Sequence, residues 1–295
     1  MSAPWLVVFA SLLFATMGVC VKLASLHYSS GEIVMYRGLV GALVIGALCH
    51  ARGDSLRTRV PGKHFVRSCT GVAALCLWFY AIGKLPLATA MTLNYTSSLW
   101  LALFLLGSAA VLGARRVDGR LVLATLAGFT GVVLLLRPTI AADQWWYGLA
   151  GLLSGMMSAT GYLQIPALSR AGEPESRIVF YFSVGGVLGG AALSAVTGWH
   201  AHTFAGIGLL LMVGVLATLA QLLLTHAYAR GRTLVNASLQ YLGIGFSYLY
   251  GLLLFSDRIT WVAAAGMVLI VGAGVFATML RAPASVAAAP VPPRT

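Results

Sequence analysis

Charged side chains are scarce in this chain. They make up 9% of it against 59% apolar residues, whereas a soluble globular domain carries about 25% charged residues. A chain so poor in charge cannot coat itself for water, which excludes an ordinary soluble fold. Acids are scarcer still, seven Asp and Glu against 19 Lys and Arg. Glu32, Asp54, Asp118, Asp143, Glu173, Glu175 and Asp257 all fall in loops or at the ends of apolar runs. No buried carboxylate relay of the kind used by proton pumps is therefore expected. The four cysteines, Cys20, Cys49, Cys69 and Cys76, lie inside apolar runs without metal-ligand or disulfide spacing, and they read as small core residues. No metal and no cofactor is expected. A His-Glu-x-x-His helix, a Gly-x-Ser-x-Gly elbow and paired intramembrane aspartates are also missing, so a membrane-embedded enzyme is a minor alternative.

What the chain has is apolar sequence in bilayer-sized lengths. A transmembrane helix needs about 20 mainly apolar residues. Such stretches occur at roughly 4–26, 31–50, 65–83, 87–111, 119–137, 146–169, 177–198, 204–228, 233–255 and 259–280. Each is expected to be helical, because unpaired backbone is too costly in hydrocarbon. The start lacks a basic region and a following small-residue cleavage site, so the first span is expected to be retained rather than cleaved as a signal peptide. Residues 282–295, rich in Ala and Pro, are expected to form a disordered cytoplasmic tail.

The net charge of +12 orients the chain instead of marking a nucleic-acid partner. Between alternate spans, one side holds Arg52, Arg57, Arg59, Lys63, Arg67, Arg115, Arg116, Arg120, Arg170, Arg177, Arg230, Arg232, Arg281 and Arg294. The other holds only Lys84, Arg137 and Arg258. By the positive-inside rule both termini are cytoplasmic. The basic residues are spread over short segments with no binding module attached, so no nucleic acid is expected as a partner.

An internal repeat supports the count of ten. A shift of 146 residues sets Tyr80, Ala81, Lys84, Thr92, Leu93, Asn94 and Tyr95 over His226, Ala227, Arg230, Ser238, Leu239, Gln240 and Tyr241. Five spans per half, an odd number, force the halves into opposite orientations, a recurring plan of secondary transporters. The expected units are residues 1–138 and 139–281, an all-α polytopic membrane protein of ten transmembrane helices arranged as a 5+5 inverted repeat around a central cavity.

The run Trp78-Phe79-Tyr80-Ala81-Ile82-Gly83-Lys84-Leu85-Pro86-Leu87-Ala88-Thr89-Ala90 resembles the end of the third span and start of the fourth in EamA-type proteins of the drug/metabolite transporter superfamily. Arg37, the stretch His226-Ala227-Tyr228-Ala229-Arg230-Gly231 and the five-plus-five layout extend the resemblance over nearly the whole chain. Two departures stand out: Gly113-Ala114 and Ser256-Asp257 replace the Gly-Glu that usually follows the fourth and ninth spans. The resemblance implies an exporter with a cavity lined mainly by spans 1, 3, 4, 6, 8 and 9, most like the bacterial amino-acid exporters, including the aromatic branch.

Polar and aromatic residues deep in these spans are the cavity candidates, since polar groups facing lipid are expensive. They are Trp78, Tyr80, Asn94, Tyr95, Trp100, Tyr162, Gln164, Gln221, His226, Gln240 and Tyr241. Aromatic faces suit an apolar side chain, while Asn94 and Gln240 offer donors and acceptors to a zwitterion. Lys22 and Arg37 lie within spans and are candidates for drawing in a carboxylate, with Glu32 able to pair with either. Pro166, Gly243 and Gly245 are expected to help gate the cavity. Trp5, Trp145, Trp146, Trp199 and Trp261 sit at span ends, as interfacial aromatics do.

The spans predict a multi-pass inner-membrane protein, and the resemblance implies that it exports amino acids or similar small metabolites, with facilitated alternating access expected. Its partners are a small-molecule substrate and the bilayer, and a monomer suffices. A proton-coupled exporter of other metabolites or drugs is the alternative, and a scaffold the lesser one.

Overall fold

In a computed structural model, residues 3–111, 119–141, 143–230 and 239–280 are described. The segments containing Gly113-Ala114 and the 282–295 tail lie outside them. The described residues form helices and no strand. In chain order these are α1 (Ala3–Ala24), α2 (Ser30–Arg52), α3 (Pro61–Lys84), α4 (Leu87–Tyr95), α5 (Ser97–Val111), α6 (Gly119–Ala141), α7 (Trp145–Arg170), α8 (Glu175–Thr197), α9 (Phe204–Arg230), α10 (Leu242–Phe255) and α11 (Trp261–Leu280). By length and composition α1, α2, α3, α8 and α9 are each long and apolar enough to cross a membrane, and shorter apolar helices include Leu242–Phe255.

Local chemistry sets the helix ends. Ser29 and Glu32 form a capping box at the start of α2, with Ser29 N donating to Glu32 Oε2 at 2.9 Å and Glu32 N to Ser29 Oγ at 3.3 Å. Gly53 closes α2 in the left-handed region at φ 71°, which costs glycine nothing. Pro61 opens α3, where its missing N–H is harmless. The helix therefore begins four residues before the expected span.

The expected fourth span is broken. Thr96 interrupts it between α4 and α5, its hydroxyl donating to Leu93 O at 2.6 Å. Hydroxyls that bond back to nearby carbonyls compete with the helical ladder in this way. Gln240 and Tyr241, expected inside a helix, occupy the turn just before α10.

Glycine lets the helices approach closely. Gly38 on α2 lies against the backbone of Ser183, Gly186 and Val187 on α8, and Gly190 lies against Gly31 and Met35, so a Cβ at either site would strike main chain. Gly131 on α6 and Gly266 on α11 make the corresponding approach. Small residues at helix crossings are the usual means of association in lipid, where burial of apolar surface supplies no drive. Besides these two pairs, α1 packs on α9, α3 on α7 and α4 on α10. Large apolar side chains such as Leu123, Val133, Leu188, Leu253 and Val268 point outward, as a lipid-facing surface requires. Of the cysteines only Cys49 is fully buried, and Cys69 is exposed on α3, contrary to the expectation of core positions.

Candidate functional site

A narrow cavity of about 40 Å³ lies within the bundle, lined by Phe14, Arg37, Arg67, Gly71, Ala74, Leu75, Trp78, Asn94, Tyr95, Ser158, Tyr162, Phe182 and Gln221. Its walls come from α1, α2, α3, α4, α7, α8 and α9. Among the described residues, the lining includes α2 and α8, which were not expected, and none of the expected span nine.

Two arginines dominate it. Arg37 and Arg67 are each 4% exposed. Their guanidinium carbons stand 5.2 and 4.3 Å from the centroid of one ring, that of Phe182. Arg37 Nη2 donates to Gln221 Oε1 at 3.4 Å, and the Nε of each arginine is buried without a partner. Among the described residues neither arginine has a carboxylate partner. Gly71, one turn along α3 from Arg67, lets the Arg67 side chain and the Phe182 ring approach the helix: a Cβ there would collide with both.

The remaining walls hold partly free polar groups. Asn94 Nδ2 donates to Ser154 Oγ at 3.0 Å and Ser158 Oγ at 3.2 Å, tying the end of α4 to α7. The Tyr95 hydroxyl and the Trp78 indole N–H are buried without partners. Tyr162 stacks on Tyr228 with centroids 5.1 Å apart. Gln240 clamps this pair, donating to the Tyr228 hydroxyl at 2.6 Å and accepting from the Tyr162 hydroxyl at 3.4 Å. Gln240 thus braces the cavity wall from behind without lining it.

Several expected site residues lie elsewhere. Tyr80 is 42% exposed and packs on Tyr147. Trp100 packs on Phe104 and Phe129. Gln164 donates to Thr70 Oγ1 at 3.3 Å, bridging α7 to α3 outside the cavity. His226, near the end of α9, sits 3.6 Å from Glu175 at the start of α8. Tyr241 hydrogen-bonds Ser98 and lines a groove between α10 and α11 instead of mirroring Tyr95. Lys22 donates to Asp257 at 3.1 and 3.2 Å and to Leu85 O at 3.3 Å. Glu32 pairs with neither Lys22 nor Arg37: its carboxylate caps α2 and binds His200 Nδ1 at 2.7 Å.

Pro166 lies inside α7, where it deprives the Tyr162 carbonyl of its helical N–H. Gly243 packs directly against the Tyr95 ring, whereas Gly245 borders the α10–α11 groove.

Phe14, Arg67, Gly71, Ala74, Leu75, Ser158 and Phe182 line the cavity without being among the expected site residues. A span beginning at residue 65 places Arg67 among the cytoplasmic charges. Pro61 at the first helical position was the available signal, since it puts Arg67 about 9 Å into the helix at 1.5 Å per residue.

Residues 1–137 match the EamA-like transporter family. The pseudopaline exporter of Pseudomonas aeruginosa is 33% identical over 270 residues, covering 92% of this chain and 93% of that protein. This chain belongs to the EamA-like transporter family. The riboflavin transporter of Rhizobium johnstonii is 29% identical over 223 residues, covering 75% of this chain and 72% of its own length. A solved crystal structure matches with a TM-score of 0.67 at 20% identity, covering 95% of this chain and 97% of its own, and so shares the fold. As an EamA-like protein the chain is a multi-pass membrane transporter of small molecules, and the cavity shared by seven of its helices is the site to which that activity directs attention. The similarity to a pseudopaline exporter and a riboflavin transporter does not single out the amino-acid exporters.

Proposed function

We propose that this protein exports a small carboxylate-bearing metabolite, an amino acid or a compound built from one, across the cell inner membrane by alternating access. The observation that carries the reading is an aromatic-walled cavity shared by seven helices of the bundle, with two buried arginines among its lining residues. Metabolite sites occupy about 300–1,000 Å³, so a cavity of about 40 Å³ admits such a ligand only when helices move apart.

The proposed architecture is two oppositely inserted five-span halves, 1–138 and 139–281, with cytoplasmic termini. The packing of α2 on α8, α6 on α11 and α4 on α10, together with α1 on α9 and α3 on α7 as a mutually related set, is what a two-fold relation would produce. Pro166 and Gly243 serve as gating elements because both adjoin cavity tyrosines, Tyr162 and Tyr95; Gly245 loosens α10 toward the lipid groove. Transport is gradient-following, since among the described residues no Asp or Glu lines the cavity. The proton-coupled alternative would rest on a titrating group there.

Counterflow in proteoliposomes tests this. Exchange of a carboxylate metabolite should persist when the pH gradient is abolished, and its collapse would favour proton coupling. Pro166→Ala should slow exchange while leaving substrate affinity intact; unchanged rates would remove Pro166 from the gate.

A further inference from the structure

The charge of the cavity goes beyond what a zwitterion requires. Arg37 and Arg67 come from different helices and approach the same Phe182 ring. Cation–π contact of this kind helps a guanidinium but leaves its charge uncompensated. A buried charge is tolerated when it is paired, and an unpaired one is costly.

The described acids are committed elsewhere or lie on the surface. Glu32 is held by Ser29 and His200, Glu173 by Thr58, His64 and Arg177, Asp257 by Lys22 and Leu87, and Glu175 faces His226. Asp54 and Asp143 are exposed. Among the described residues no acid compensates the two guanidiniums, which points to a ligand that brings the compensation. A monoanion would leave one positive charge unmatched. A zwitterion would add an ammonium to two guanidiniums in a region of low dielectric, where like charges repel strongly. A ligand with two anionic groups neutralises both.

We propose that the central site binds a metabolite carrying two carboxylates or equivalent anionic groups, one gripped by Arg37 and the other by Arg67. Each guanidinium presents a planar fork of donors suited to a carboxylate, and the unpartnered Nε atoms are among those donors. Gln221 aligns Arg37, and Gly71 makes room for Arg67. The ligand's apolar part lies along Trp78 and Phe182. This inference rests on the reading of the cavity as the transport site and adds the charge class of the cargo.

The test uses purified full-length protein in detergent, following thermal unfolding against glutarate and adipate as dianions, butyrate as monoanion and leucine as zwitterion, at matched ionic strength. Ligand that binds only the folded state raises the unfolding temperature with concentration. Glutarate or adipate should protect well above butyrate and leucine. Arg37→Gln and Arg67→Gln should each weaken dianion binding by about tenfold or more and abolish the preference over butyrate, while the Lys variants retain part of it. Ligand-free unfolding temperatures of the Gln variants should equal or exceed that of the parent, which separates lost recognition from lost folding. Leucine protecting as well as glutarate, dianion binding that survives both Gln substitutions, or no protection by either dianion would each overturn the proposal. Proteoliposome flux distinguishes the two readings. Leucine exchange with no competition by dianions removes the charge class and leaves the transporter, whereas Arg-dependent dianion binding without flux supports the class and removes the cavity from the transport path.

Discussion

Lys22 on α1 donates to both carboxylate oxygens of Asp257, at 3.2 and 3.1 Å, and the same Asp257 Oδ2 accepts the backbone N–H of Leu87 at 3.0 Å. One carboxylate thus joins α1, the start of α4 and the turn between α10 and α11. It also satisfies a donor at the α4 N-terminus, where negative charge is favoured. With side chains 18% and 14% exposed, the pair is shielded enough to count, yet screening keeps it modest. Asp257→Asn and Lys22→Met should each destabilise the protein by about 1 kcal/mol. The double variant should lose less than the sum, as measured by thermal unfolding in a double-mutant cycle. Full additivity would mean that the contact contributes nothing.

The Tyr95 hydroxyl makes the opposite prediction. It is buried beside the cavity without a hydrogen-bond partner, so it contributes desolvation cost and no bond to the folded state. Tyr95→Phe should leave stability unchanged or raise it by up to about 1 kcal/mol. Substrate affinity should fall several-fold in the same variant. A clear drop in unfolding temperature would show that the hydroxyl is a structural group instead.

Gly71 supports the site by having no side chain. A Cβ at this position would meet the Arg67 guanidinium and the Phe182 ring, while alanine is otherwise the better helix former. Gly71→Ala should therefore weaken ligand binding by about tenfold, as Arg67→Gln does, with α3 still helical by circular dichroism. Unaltered affinity would show that Arg67 can be moved without consequence.

At the opposite end of the bundle from the Asp257 contact, Glu173 joins the α2–α3 loop to α8. Thr58 Oγ1 donates to it at 2.8 Å, Arg177 Nη1 at 3.1 Å, and His64 Nε2 lies at 3.1 Å. Burial alone would push the Glu173 carboxyl up. The hydrogen bonds with Thr58, His64 and Arg177 and the Arg177 charge outweigh it, holding the group below its ordinary value of 4.5. A depressed pKa in the folded state means the unfolded chain binds the proton more readily. The contribution is complete above the unfolded value and is lost as pH falls below 4.5 and through the folded value. Thermal stability should decline over that acid window, and Glu173→Gln should flatten the decline while lowering stability at neutral pH. An identical acid limb in both proteins would exclude Glu173 as its source.

The sequence by itself determined that this chain is a helical, multi-pass membrane protein, because a bilayer demands long apolar segments and satisfied backbone, and both demands are local. The extent of α2 was legible in the same way, since the expected span 31–50 falls inside Ser30–Arg52, while the caps at Ser29 and Gly53 came from the structure. Trp78, Asn94, Tyr95, Tyr162, Gln221 and Arg37 could be picked as cavity candidates, since each is a polar or aromatic group deep in an apolar run. Only the tertiary structure decided which of the candidates share one space. Tyr80, Trp100, Gln164 and His226 have the same local character but face other neighbours, because the direction of a side chain depends on how its helix is rotated and crossed by others. Arg67 shows the limit most plainly. Its charge and, through Pro61, its depth in α3 are local features, but its role depends on Gly71 leaving room and on Phe182 arriving from a helix more than a hundred residues away, contacts that no local pattern encodes.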